Sequence, residues 1–409
     1  MTMPNSKNSS ALLSSYTPNG AQTLSKMQTR YPQNYPKLLS HGTRGHVMDN
    51  EGYEYIDLIA GLGAISVGYA QPYINQKVED QLRCGVSFSL PNELEYCAAK
   101  RLTELVPGTE MWKFGKNGTD GTVWAVRCAR AYTGRTKIMT VGYNGCADQF
   151  EIRGTRTAGV PKELDPTIDK AFYNNSASFG RLESKEYACV LMEPMVFDFP
   201  TKGFLPFVKE LCRRTGTLLI FDEVVTGGRF EYFTASNNFG LHPDLYVCGK
   251  ALANGFPLSA VGGTRRLMAT FEREDFFASN TFGGECASLA AFMATQTILP
   301  GRIGSMVEKG QRIKDAFNML DWEGAECVGY PTRLDFRFPS EAHRYLFWQE
   351  LCKRRVLVGY TNFIMADHSD EDVAYISESI EEVQCILKEN WENPLKVFEG
   401  PLPTPALRK

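Results

Sequence analysis

Two segments of this chain end an apolar run on a charged side chain. Thr217-Leu218-Leu219-Ile220-Phe221 runs into Asp222-Glu223-Val224, and Leu245-Tyr246-Val247-Cys248 runs into Gly249-Lys250. Short apolar runs of this kind read as strands buried on both faces, and the C-terminal edge of such a sheet is where ligands bind. Taken singly, each signal is weak. A strand-end aspartate often only caps the next turn, and most lysines are solvated. A third segment, Phe114-Gly115-Lys116-Asn117-Gly118-Thr119-Asp120-Gly121, is a glycine-rich turn opening a helical pattern. Its backbone N–H groups and the positive end of the helix dipole would suit a phosphate, with the Thr119 hydroxyl as a further donor. No Gly-Lys-Ser or Gly-Lys-Thr follows, so it is not a nucleotide P-loop. An ordinary helix cap at Thr119 or Asp120 would look similar.

Together the three are specific. A lysine near a desolvated cleft can form an imine, and a buried carboxylate can hold a proton on a ring nitrogen. With a phosphate turn beside them, they fit pyridoxal 5'-phosphate, whose protonated ring is an electron sink. Val224, two positions beyond Asp222, faces the same side of the strand and is expected to pack on the ring. Tyr143, in Val141-Gly142-Tyr143-Asn144-Gly145, is an aromatic at another strand end and a candidate to stack on it. Thr281-Phe282-Gly283-Gly284 is a second hydroxyl-plus-glycine turn before a helix, either a further phosphate donor or a cap.

The elements that must position these residues follow from periodicity. Strands are expected at 137–141, 187–192, 217–221 and 245–248, with helices at 93–105, 122–132 and 287–298. His46–Asp57 reads as a hairpin around Asp49-Asn50-Glu51-Gly52. From about 301 the pattern becomes helix 302–320, strand 332–338, helix 341–353, strand 355–359 and helix 370–391. The expected fold is α/β: a large domain with a mostly parallel mixed sheet flanked by helices, over 61–300. The expected smaller α+β domain comes from 1–60 and 301–409. Residues 1–15 read as disordered, Pro401–Pro405 as extended, and Leu407-Arg408-Lys409 as a frayed end.

Composition narrows the function classes. A net charge of −3 gives no basic field for nucleic acid. No apolar run is long enough to cross a membrane, and the polar start lacks the core of a signal peptide. Eleven cysteines without a paired motif imply reduced thiols and a cytoplasmic setting. The five histidines form no metal-ligand pattern, so no metal site is expected.

These residues, in this order, resemble the class III aminotransferases, and most of all their glutamate-1-semialdehyde 2,1-aminomutase-like branch. The resemblance runs from about Tyr16 to about Glu389. Its most specific stretches are Arg130-Ala131-Tyr132-Thr133-Gly134-Arg135, Leu219–Val224, Gly249-Lys250-Ala251-Leu252-Ala253-Asn254-Gly255-Phe256-Pro257 and Thr281–Gly284. It implies a fold-type I homodimer with sites at the subunit interface. In those terms Lys250 carries the Schiff base and shuttles the proton, and Asp222 pairs with the ring nitrogen. Asn117, Gly118 and Thr119 hold the phosphate, Tyr143 stacks, and Thr281 reaches the phosphate in the partner subunit. Glu193, of Met192-Glu193-Pro194, lines the site. Asp198 stands where aminomutases carry an Asn near the ring oxygen.

The departures from the family pattern are informative. Asn144 replaces a usual His, Val225 a frequent Gln, and Glu285-Cys286 a usual Asn-Pro. Lys26 stands where true aminomutases grip the substrate carboxylate with an arginine, and it lacks the bidentate fork. Gln149, Glu151 and Arg153 are either a polar pocket or a solvated loop face. The expected activity is therefore transfer of an amino group between a small-molecule donor and an aldehyde or keto acceptor. Intramolecular aminomutation, or decarboxylation or elimination on the same scaffold, are the alternatives.

Overall fold

The computed structural model describes residues 13–405. The chain divides into two compact units, one spanning Pro72–Ile303 and the other taking the chain up to Gln71 and again from Gly304.

The Pro72–Ile303 unit is built on a seven-stranded sheet: β1 (Met111–Gly115), β2 (Lys137–Val141), β3 (Ile168–Lys170), β4 (Tyr187–Met192), β5 (Leu218–Glu223), β6 (Leu245–Cys248) and β7 (Ser259–Gly263). Their order across the sheet is β1-β7-β6-β5-β4-β2-β3. Strand β7 is antiparallel to both neighbours, and the pairs from β6 through β3 are parallel. This is the mostly parallel mixed sheet expected from the sequence. The continuous apolar runs form its middle because parallel strands covered on both faces have no polar side; all six residues of β4 are buried.

Helices α1 (Glu93–Leu105), α2 (Gly118–Thr133), α3 (Phe204–Thr215) and α4 (Cys286–Ile298) flank this sheet or pack beside it. Alternation along the strands assigns each residue a side. Ala125, Val126 and Ala129 of α2 pack with Cys189, Leu191, Ile220 and Val224. On the opposite face Phe204, Leu205, Val208 and Leu211 of α3 pack with Val190, Met192, Leu219 and Phe221. Helix α2 starts four residues earlier than apolar spacing predicts, because its first turn is set by capping. The Asn117 side chain accepts from the Asp120 N–H, and Asp120 accepts back from the Asn117 N–H.

In the other unit, Leu39–Thr43, His46–Asp49, Glu54–Asp57 and Val356–Leu357 form one sheet, and Glu326–Tyr330, Arg333–Arg337 and Asn362–Phe363 another. Helices Ile303–Asn318, Glu341–Lys353 and Asp370–Glu389 complete the terminal segment. The expected hairpin is present. Asp49 Oδ1 accepts from the N–H groups of Glu51 and Tyr53, each at 2.9 Å, and Gly52 takes φ 91° to close the turn. The strand expected over 355–359 shortens to Val356–Leu357, and Glu326–Tyr330 had no clear alternation to reveal it. Of the expected disordered start, residues 1–12 lie outside the described residues and 13–16 form a helical turn. The proline tail is held against Thr29 and Arg30: Thr404 N–H donates to the Thr29 carbonyl at 2.7 Å, and Arg30 donates to the Thr404 and Pro405 carbonyls. Leu407-Arg408-Lys409 lies outside the described residues.

Candidate active site

The parallel strands bring their chemistry to one edge. In register, Val141, Met192, Phe221 and Tyr246 form a row across β2, β4, β5 and β6. One or a few residues further on stand Tyr143, Glu193, Asp222 and Lys250, all at the C-terminal edge. Strand β1 delivers Asn117, Gly118 and Thr119 to the same edge, since it runs antiparallel to β7, which is itself antiparallel to β6.

The two carboxylates ending β5 part company, as successive strand residues must. Glu223 is fully buried. Its carboxylate accepts from the N–H groups of Ala235 (3.0 Å) and Ser236 (2.9 Å) and from the Thr226 hydroxyl, so it anchors the following turn. Asp222 turns to the α2 side and is only 5 % exposed. Its Oδ1 accepts from Val224 N–H at 3.1 Å and its Oδ2 from Asn144 Nδ2 at 3.3 Å. Burial, then the charge of Glu193, raise its pKa to about 7, while those two hydrogen bonds and the Lys250 charge act to lower it. A carboxylate in this position is short of positive charge, and a protonated pyridine nitrogen would supply it.

Lys250 sits at φ 42°, in the left-handed region that a lysine does not choose freely. Gly249 before it is extended, and a short turn Lys250–Ala253 follows. Strain at a strand end is common where a side chain is held for chemistry. Val224 is 8 % exposed and flanked by two glycines. A Cβ on Gly118 would lie 2.8 Å from its Cγ1, and one on Gly249 3.2 Å away. The first turn of α2 can therefore approach Val224 only without a side chain at 118.

The loop after β2 closes on the start of α2. Thr122 Oγ1 donates to the Asn144 carbonyl at 2.8 Å, and Cys146 N–H donates to Thr119 Oγ1 at 3.3 Å. Tyr143 is 40 % exposed beside them. Asn144 is buried, and its Oδ1 has no hydrogen-bond partner. The Asn144 amide thus keeps an acceptor in reserve beside the Asp222 carboxylate.

In the sequence Asn144 stands out only as a departure from the family pattern. Its contact with Asp222 is a tertiary fact, since 78 residues separate them. Other expected residues are more exposed or engaged elsewhere. Asp198 is exposed on the loop after β4, and Thr281 is exposed on its turn. Gln149 accepts from Arg130 at 3.0 Å, and Arg153 pairs with Asp165 at 2.8 Å, so both are engaged locally.

A family model described as Aminotransferase class-III matches residues 29–149 and 157–320. The chain belongs to the class III aminotransferases. It is 31% identical over 388 residues to a 3-aminobutyryl-CoA aminotransferase of Cloacimonas acidaminovorans, covering 89% of this chain and 93% of that one. It is 30% identical over 392 residues to a glutamate-1-semialdehyde 2,1-aminomutase of Thermoplasma acidophilum, covering 86% and 93%. Among solved structures it shares the fold of the FumI protein of Sphingopyxis sp. MTA144, with a TM-score of 0.88 at 22% identity over 95% and 97% of the two chains. An omega-transaminase from Sphaerobacter thermophilus superposes with a TM-score of 0.86 at 23% identity, over 92% and 96%.

Membership bears out the resemblance read from the sequence, the fold-type I architecture and the enzyme class. This class III chain is a pyridoxal-phosphate-dependent enzyme of the aminotransferase type. No helix among the described residues is long and apolar enough to cross a membrane.

Proposed function

We propose that this chain transfers an amino group between a small-molecule donor and a carbonyl acceptor, with Lys250, Asp222 and Glu193 as the catalytic set. The observation that carries the assignment is the pairing of a buried, electropositive-seeking Asp222 with a lysine held at positive φ on the neighbouring strand end. When bound, pyridoxal phosphate supplies an aldehyde for the amino group and a ring that withdraws electrons from the substrate carbon. Asp222 holds the proton on the ring nitrogen. Val224 and Tyr143 are the apolar and aromatic side chains that would hold the ring between them. The N–H groups at Asn117, Gly118 and Thr119, with the Thr119 hydroxyl, take the phosphate at the positive end of α2. Lys250 Nζ binds the cofactor and moves the proton at the substrate carbon. Glu193, 7 % exposed, borders Asp222 and keeps its pKa high. Asp198 is assigned to the rim near the ring oxygen.

The active assembly we propose is a homodimer in the cytoplasm, with Thr281 reaching across to the partner's phosphate. In support, exposed apolar side chains surround the Thr281 turn: Phe88 (51%), Leu90 (79%) and Phe282 (58%). Such a patch on a lone chain favours a second copy. The eleven cysteines of the chain are all free thiols, which suits a reducing compartment.

Intramolecular aminomutation is the second reading, favoured by the Thermoplasma acidophilum relative. Lys26 in place of the carboxylate-gripping arginine counts against it. The experiment is a half-reaction with a single amine and no acceptor. Accumulation of the amine form of the cofactor with release of a carbonyl product supports transfer. Return to the starting spectrum with an isomerised substrate supports aminomutation, and loss of carbon dioxide would overturn both.

A further inference from the structure

One departure from the family pattern, Glu285, meets the glycine-rich turn in space. Lys116 opens the phosphate turn, and Glu285 follows the Thr281 turn, 169 residues later. Lys116 Nζ donates to Glu285 Oε1 at 2.7 Å and to Ser288 Oγ at 3.1 Å. The two side chains are only 18% and 10% exposed, so this pair is shielded from solvent more than a surface ion pair. Glu285 also caps α4. Its carboxylate accepts from Ala287 N–H at 2.8 Å, from Ser288 N–H at 3.1 Å and from the Ser288 hydroxyl. Burial works against its charge, but Lys116 and Ser288 outweigh burial and hold its pKa below the ordinary value.

A second tie runs parallel to the first. Asp120 Oδ2 accepts from Lys116 N–H at 2.7 Å and from Asn117 N–H at 3.2 Å, and Asn280 Nδ2 lies 3.5 Å from the same oxygen. Gly283 packs close to the Phe114 carbonyl, where a Cβ would lie 3.1 Å from the oxygen. The phosphate turn 116–120 and the turn 280–285 are therefore held as one piece by a charged pair at one side and an amide–carboxylate contact at the other.

We propose that Lys116 and Glu285 are positioning residues that clamp the two phosphate-donor turns together, so that phosphate capture at Gly118 and Thr119 of one subunit fixes the Thr281 turn offered to its partner. The inference rests on the reading of Thr281 as a cross-subunit phosphate donor. The proposal assigns neither residue of the clamp to the cofactor itself. Lys116 is turned away from its own phosphate turn and committed to Glu285, so its charge acts through the position of the loops.

The test is titration of the cofactor-free protein with pyridoxal phosphate, and in parallel with pyridoxal, which lacks the phosphate. Glu285→Asn keeps a good helix cap while removing the charge and the reach, and Lys116→Met removes the other partner. Each variant should weaken pyridoxal phosphate binding by about ten-fold, mid-range for side chains in direct contact, and leave pyridoxal binding unchanged. The double variant should lose no more than the worse single. In a Thr281→Ala background, Glu285→Asn should add little further loss.

Unchanged pyridoxal phosphate affinity in both variants, equal weakening of both ligands, or losses that simply add would overturn the clamp. If the unaltered protein binds no pyridoxal phosphate, the reading of the whole site falls with it. If it binds as a monomer by light scattering, the cross-subunit assignment falls and with it the coupling.

Discussion

Asn144 and Asp222, 78 residues apart, meet at 3.3 Å between Nδ2 and Oδ2 beneath the edge of the sheet. An amide in this place donates one hydrogen bond and carries no charge at any pH, unlike the histidine usual in the family. Its removal leaves Asp222 with the Val224 N–H as a remaining donor. Asn144→Ala should therefore raise the Asp222 pKa above about 7 and lower kcat/KM about ten-fold near neutral pH, the loss expected for one hydrogen bond to a charged group. The pH profile of the variant against the parent checks this: its acid limb should move to higher pH, and superimposable profiles would refute it.

The same burial makes Asp222 a liability when the cofactor is absent. Its carboxyl pKa rises from 3.8 to about 7 on folding, so the ionised form opposes folding and stability falls as pH rises through that range. Asp222→Asn removes this penalty, worth up to about 4 kcal/mol at about 1.4 kcal/mol per unit. The cofactor-free variant should melt at a higher temperature than the parent at pH 8 and show little difference at pH 4. Its transamination rate should nonetheless drop by at least about a hundred-fold if, as proposed, Asp222 is the anion that faces the ring nitrogen.

Lys250→Ala should abolish the visible absorbance of the cofactor-loaded protein and reduce turnover by about a thousand-fold or more, because in the proposed assignment the group that binds the cofactor also moves the proton. Soluble, folded variant protein that keeps the visible band would place the covalent link elsewhere.

Gly118→Ala puts a methyl group 2.8 Å from Val224 Cγ1 at the first turn of α2. The chain must shift or Val224 must turn, at a cost of about 1–3 kcal/mol. Calorimetry should record that loss, and cofactor affinity should fall with it. Adding Val224→Ala should restore most of the stability but not the ring packing, so affinity should recover less than the melting temperature does.

In the unit formed by the chain ends, His46 bridges two carboxylates, Asp372 at 2.8 Å and Glu54 at 3.3 Å. The Asp372 hydrogen bond is the main cause that raises the His46 pKa, while burial opposes it. Burial would raise the Asp372 pKa, but the His46 hydrogen bond prevails and lowers it. The stability from protonated His46 is complete below its unfolded value and lost as pH rises through its raised folded value. That from ionised Asp372 is lost as pH falls through its lowered value. The difference in melting temperature between the parent and His46→Ala should thus be largest in mildly acidic buffer and shrink toward alkaline pH; a pH-independent difference would show that packing alone is at work.

The sequence alone determined the middle parallel strands of the large sheet and the order of the chemistry along the chain, but not the strands Met111–Gly115, Ile168–Lys170 and Ser259–Gly263. Buried parallel strands must be continuously apolar, which makes 137–141, 187–192 and 245–248 readable to the residue. Asp222 and Lys250 stand out for the same reason, as charges placed where apolar runs stop. Tertiary structure decided what local pattern cannot express. Alternation parts Asp222 from Glu223, but only the packing of the two sheet faces shows which one turns to the α2 side and which one holds a turn. Only the return of the chain places Asn144 under Asp222 and Glu285 on Lys116. Hydrogen bonds and ion pairs act over about 3 Å in space, whatever the distance along the chain, and that separation leaves no trace in composition or periodicity.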